Sequence, residues 1–185
     1  MRTVELLPDA ATELHVRDMW HAIAAAGLPS LAAHRHPTNR PHLTLATCED
    51  LRPSTRAALA AVLDDALPAP SRLDGLLRFP GRTRVLAWRV VAGPELVELH
   101  RRVWDVLATD AVGPLNPLHA PGRWIPHLTL ARSRRTSARW PAHLLPPALS
   151  HPWEASFTGA RSYDSATRTV ETLGGEAGGT ERWEG

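Results

Sequence analysis

Apolar and polar positions alternate over Thr3-Val4-Glu5-Leu6-Leu7, which predicts a short strand near the start of the chain. Asp9 follows, a residue able to cap a helix, and Val16, Met19, Trp20, Ile23 and Ala26 then recur at helical spacing as far as the Gly27 stop. That stripe predicts an amphipathic helix ending near residue 27, with its apolar face in the core. After a loop rich in turn formers, His42-Leu43-Thr44-Leu45-Ala46-Thr47 alternates again and predicts a strand over 42–47. Pro53 suits the first turn of a second helix over 53–66. Segments 72–79 and 84–91 read as strands joined by Pro80-Gly81-Arg82-Thr83, a hairpin. Pro94 opens a third helix to about residue 108, with Leu96, Leu99, Val103, Val106 and Leu107 on its apolar side. A loop punctuated by Gly and Pro leads to a strand within 124–132. A short helix is expected in 136–149, interrupted by Pro141, Pro146 and Pro147. Strands at 153–163 and 167–173 complete a single domain over 1–173, and 174–185 reads as a flexible tail. Helices interleaved with hairpins predict an α+β fold with largely antiparallel pairing.

Composition narrows the chemistry. With 185 residues, 43% of them hydrophobic, the chain can bury one substantial core. No apolar run approaches the roughly 20 residues that cross a bilayer, and Glu5, Pro8 and Asp9 interrupt any signal-type stretch, so a soluble, cytoplasmic protein is expected. Cys48 is the single cysteine, which rules out an intrachain disulfide and a multi-cysteine zinc site. Lysine and glutamine are absent, and all 21 residues counted as Lys+Arg are arginines. A Walker A lysine, Schiff-base catalysis and ligation through a lysyl-adenylate are therefore excluded. A net charge of +2 is too small to argue for nucleic-acid binding, although arginine is the side chain best suited to bidentate phosphate contacts.

One hexapeptide occurs twice, as Pro41-His42-Leu43-Thr44-Leu45-Ala46 and as Pro126-His127-Leu128-Thr129-Leu130-Ala131. In a strand, each copy turns its leucines into the core and presents His and Thr together on the other face. The duplication suggests two lobes related by an approximate two-fold axis. Paired histidines suit phosphoester cleavage, because an imidazole with a pKa near 6.5 can serve as base in one copy and as acid in the other. Each Thr hydroxyl, two residues along, can donate to a phosphoryl oxygen held between the histidines. His42, His127, Thr44 and Thr129 are the candidate catalytic residues, with no cofactor and no metal required.

These duplicated His-x-Thr-x motifs resemble the 2H phosphoesterase superfamily, in particular its 2′-5′ RNA ligase-like branch, the RNA 2′,3′-cyclic phosphodiesterases. The likeness extends to Phe79…Arg84-Val85-Leu86-Ala87-Trp88 and to Arg132, which completes His-x-Thr-x-x-Arg in the second copy. The first copy differs: Thr47-Cys48-Glu49 stands where relatives commonly continue Phe-Leu-Gly, and the N-terminal strand is more acidic than usual. The resemblance implies a bilobal fold in which two pseudo-symmetric, largely antiparallel sheets with outer helices flank a central cleft. It implies hydrolysis of a 2′,3′-cyclic phosphate, on RNA ends or small cyclic nucleotides, to a 2′-phosphate. His42 would protonate the departing 3′ oxygen, His127 would activate water, and some relatives join RNA ends in reverse without ATP.

Around the motifs, Arg40 and Arg132 are candidate substrate-binding residues. Arg40 shares the His42 face if the strand starts that early, and Arg132 reaches the phosphate only if its strand ends or bulges. Arg132, Arg134, Arg135 and Arg139 could track an RNA backbone or form a solvated loop surface. Trp88, in the hairpin of the likeness, and Trp124, just before the second motif, are candidates for base stacking. The expected partner is RNA with a cyclic phosphate end or a small cyclic nucleotide, bound by a monomer away from any membrane. Two other readings compete: a non-catalytic RNA- or nucleotide-binding module of the same fold, and a metal-dependent hydrolase built on His34, His36 and His42.

Overall fold

The structure is a computed structural model, and it describes residues 1–34 and 36–175. Strand β1 (Arg2–Pro8) leads into helix α1 (Ala10–Ala25), and the Asp9 carboxylate caps that helix by accepting from Thr12 N at 2.7 Å. Thr12, Val16, Met19, Trp20 and Ile23 are its buried residues. Ala26, expected in the stripe, is instead the exposed C-cap, because the helix ends one residue before it. Strand β2 (Leu43–Cys48), helix α2 (Pro53–Ala66), strands β3 (Ala69–Phe79) and β4 (Arg84–Val91), helix α3 (Pro94–Asp110) and strand β5 (His127–Ser133) follow in the expected order. Segment 136–149 does not make one helix. Its prolines break it into two short 3-10 turns, Ala142–Leu144 and Pro147–Ser150.

Strand β6 (Trp153–Asp164) precedes β7 (Thr169–Gly175). The last strand runs through Gly174 and Gly175, which were expected in the tail: Gly175 N–H donates to Asp64 Oδ1 at 2.9 Å, tying β7 to α2. The remainder of the expected tail, 176–185, lies outside the described residues. No helix among the described residues is long and apolar enough to cross a membrane.

All pairings are antiparallel, in the order β1-β2-β5-β4-β3-β6-β7, and β6 also pairs with β1 so that the sheet closes on itself. The unit β1-α1-β2 corresponds to β4-α3-β5, with β6 outside the first and β3 outside the second. These are the two expected lobes. They are not separate sheets, since β2 and β5 join them through one bridged pair, Leu43 and Leu128. Val4, Leu6, Leu43, Leu45, Leu86, Trp88, Leu128 and Leu130 are buried in one core with the apolar faces of α1 and α3. Alternation along the strands then sends Thr3, Glu5, His42, Thr44, His127 and Thr129 to the opposite face.

Candidate active site

The bridge between Leu43 and Leu128 fixes how the repeated motifs meet. Continued by one residue each way, its antiparallel register sets Thr44 against His127 and His42 against Thr129, all on one face. The two histidines are thus diagonal neighbours, about 7–8 Å apart at the backbone by sheet geometry, the span of a phosphate with its flanking oxygens.

Each imidazole is held in the same way. His42 Nδ1 bonds the Arg40 carbonyl at 2.7 Å, and His127 Nδ1 bonds the Ile125 carbonyl at 2.7 Å. A carbonyl oxygen only accepts, so Nδ1 carries the hydrogen in both rings and Nε2 is left for chemistry. The strands beneath are pinned crosswise: Trp20 of α1 donates its indole N–H to the Thr129 carbonyl at 3.0 Å, and Trp124 donates to the Thr44 carbonyl at 2.9 Å. Each half of the molecule therefore supports the motif of the other.

Arg132 reaches this face through the bulge that sequence phase demanded. Opposite β4, Thr129 pairs with Ala87 but Ala131 pairs with Leu86, so Leu130 is the extra residue and Arg132 falls opposite Val85. The same shift occurs in β2, where Thr44 pairs with Glu5 and Ala46 with Val4, which places Thr47 as the counterpart of Arg132. Arg132 stands between two cavities. One, of about 480 Å³, holds Glu5, His42, Thr44 and Arg161; the other, of about 500 Å³, holds Phe79, His119, Ile125, His127 and Thr129. The first is lined mostly by polar and charged residues and the second has an aromatic and aliphatic wall, with the Phe79 ring 4.8 Å from that of His127.

Three expected binding residues are placed elsewhere. Trp88 is 0% exposed, on the core face of β4, and cannot stack on a base. Trp124 lies under Thr44 and stacks on His100 with ring centroids 4.0 Å apart. Arg40 turns its guanidinium to the Glu13 carboxylate of α1 and touches the site only through the carbonyl that holds His42. His34 and His36 line the His42 cavity, with His36 Nδ1 bonded to Thr38 Oγ1 at 2.7 Å. Among the described residues, no three of His, Cys, Asp and Glu come together as a metal-binding group.

Glu5 and Arg161 were not anticipated. Glu5 is 2% exposed and Arg161 6%; they face each other across β1 and β6 and pair at 2.8 Å. Thr3 Oγ1 donates to Glu5 Oε1 at 2.6 Å, and that oxygen lies 3.6 Å from His42 Nε2. Burial pushes the Glu5 carboxyl up, but the charges of His42 and Arg161 with the hydrogen bonds from Thr3 and Arg161 outweigh it and hold it below its ordinary value. His127 lies below its ordinary value because of burial, reinforced by the charges of Arg132 and His42 and opposed by its bond to Ile125. The signal for Glu5 was present in the sequence, as an acidic side chain on the polar face of the first strand.

The sequence model of the family described as the 2′-5′ RNA ligase superfamily matches residues 8–161. No curated protein matches the chain. Among solved structures, E. coli LigT in apo form is 16% identical, with 92% of this chain and 91% of that chain covered at a TM-score of 0.58. A phosphoesterase is 18% identical over 93% and 92% of the two chains, with a TM-score of 0.55. Kluyveromyces marxianus Usb1 is 11% identical over 93% and 96%, with a TM-score of 0.51. At these identities the likeness is one of fold. LigT has been solved with 3′-AMP and Usb1 with uridine monophosphate.

Proposed function

Because this chain belongs to the 2′-5′ RNA ligase superfamily, we propose that it is a phosphodiesterase that opens 2′,3′-cyclic phosphates on RNA ends or small nucleotides, using two histidines and no metal. One observation carries the reading: both His-x-Thr motifs lie on one face of adjoining strands, each with Nδ1 tied to a carbonyl and Nε2 left for substrate. The nucleotides seen in LigT and Usb1 support a nucleotide ligand.

In the reaction, water loses a proton to the Nε2 lone pair of His127 while its oxygen bonds to phosphorus. The bond from phosphorus to O3′ breaks, and O3′ keeps its electron pair and takes the proton from His42 Nε2. The products are a 2′-phosphate and a 3′-hydroxyl, and proton exchange with solvent restores both rings. Thr44 and Thr129 donate to the non-bridging oxygens, with Arg132 supplying charge at the same place. With an RNA 5′-hydroxyl in place of water as the nucleophile, the same forward step makes a 2′-5′ linkage without ATP.

The test is a pH–rate series on a 2′,3′-cyclic nucleotide with and without EDTA. A bell-shaped profile unchanged by chelator is expected, with its acidic limb, where His127 takes on a proton, below the ordinary histidine value because burial lowers it. Activity lost in EDTA and restored by zinc or manganese would overturn the two-histidine mechanism. Nucleotide binding without turnover at any pH would favour the binding-module reading.

A further inference from the structure

Two identical motifs related by pseudo-symmetry have no reason of their own to perform opposite proton transfers. Something outside them must break the symmetry. Register identifies it: Glu5 lies opposite Thr44 just past the β2 bulge, and the residue opposite Thr129 just past the β5 bulge is Ala87. The first lobe thus has a buried carboxylate beside its imidazole where the second has a methyl group. Arg132, beside the lobe boundary, adds the opposite charge on the His127 side.

Resting on the reaction proposed above, we propose that Glu5 is the positioning residue that makes His42 the acid of the pair, its carboxylate holding the proton at Nε2 that His42 delivers to the leaving oxygen. The geometry suits this role. Nδ1 is engaged with Arg40 O, so the ring can meet Glu5 only through Nε2, and at 3.6 Å the carboxylate attracts that proton without capturing it. Arg161 and Thr3 keep the carboxylate ionised and fixed, since a protonated Glu5 would hold nothing on His42. The other charged or titratable groups around this cavity are Arg132, Arg168, Tyr163, His34, His36 and the Met1 amine, and Glu5 is its one carboxylate among the described residues. The groups most able to oppose it are cations, so the effect of removing Glu5 has one sign.

Glu5→Gln keeps an acceptor for Thr3 and Arg161 and removes the charge. The alkaline limb of the kcat/KM profile, where the acid loses its proton, is expected to move down by about one pH unit while the acidic limb stays in place. At pH values above that limb the rate falls about tenfold. Arg161→Gln removes the charge that keeps the buried carboxyl ionised and should move the same limb downward too, which keeps a second variant in hand if the first does not fold. Titration of the His42 ring by NMR of the isotopically labelled protein needs no substrate, and its midpoint should move with the kinetic limb. It therefore tests Glu5 even if cyclic phosphates prove not to be substrates. A rate lowered equally at every pH, an unmoved His42 midpoint, or a shift of the acidic limb instead would each overturn the assignment.

Discussion

At the scale of single residues, the proposed reaction assigns most of the chemistry to the two imidazoles and a tuning role to the threonines. His42→Ala and His127→Ala should each lower kcat about 10²–10⁴-fold, the usual worth of general acid or base catalysis. Loss of the Thr44 or Thr129 hydroxyl should cost no more than about 10²–10³-fold, the worth of one donor to a developing charge. Full turnover by either histidine variant on a cyclic nucleotide would end the paired mechanism. The four motif residues were legible because alternation puts them on one face wherever the strands lie. Trp88 does not face the site, because its strand parity turns the ring to the core. The charge of Glu5 shows in the sequence, but its place beside the site does not, because its partners, Arg161 and His42, come from distant parts of the chain.

At the scale of elements, the site depends on how strands are anchored. Asp9 both caps α1 through Thr12 N and accepts from Ser156 N of β6 at 2.9 Å, so Asp9→Ala should cost about 2 kcal/mol, the upper end for a lost cap, in urea unfolding. Trp124→Phe deletes the donor to the Thr44 carbonyl and should cost about 1 kcal/mol together with a fall in kcat. If that variant unfolds like the parent protein, the crosswise support is unimportant. Gly175 has φ of 75°, and a Cβ there would run into the Thr158 carbonyl, so Gly175→Ala should destabilise by about 1–3 kcal/mol. Helix and strand positions were readable from period and caps, as with α2 and β4, whose limits match the pattern residue for residue. Bulges were not, because an extra residue such as Leu130 shows only against the partner strand.

At the scale of the whole molecule, closure of the sheet through β1 and β6 and the exchange of tryptophan donors bind both lobes into one unit. A single calorimetric unfolding transition is expected, and two separate transitions would contradict that coupling. The sequence by itself determined the antiparallel α+β plan, the duplication and the identity of the paired His-x-Thr groups, since periodicity and an exact repeat are local properties of a chain. Tertiary structure alone decided that β2 adjoins β5, that bulges turn Arg132 into the cleft, and that Glu5 meets His42 and Arg161. Strand order, register and buried ion pairs arise from contacts between residues far apart in sequence. No local pattern encodes which distant segment supplies the partner.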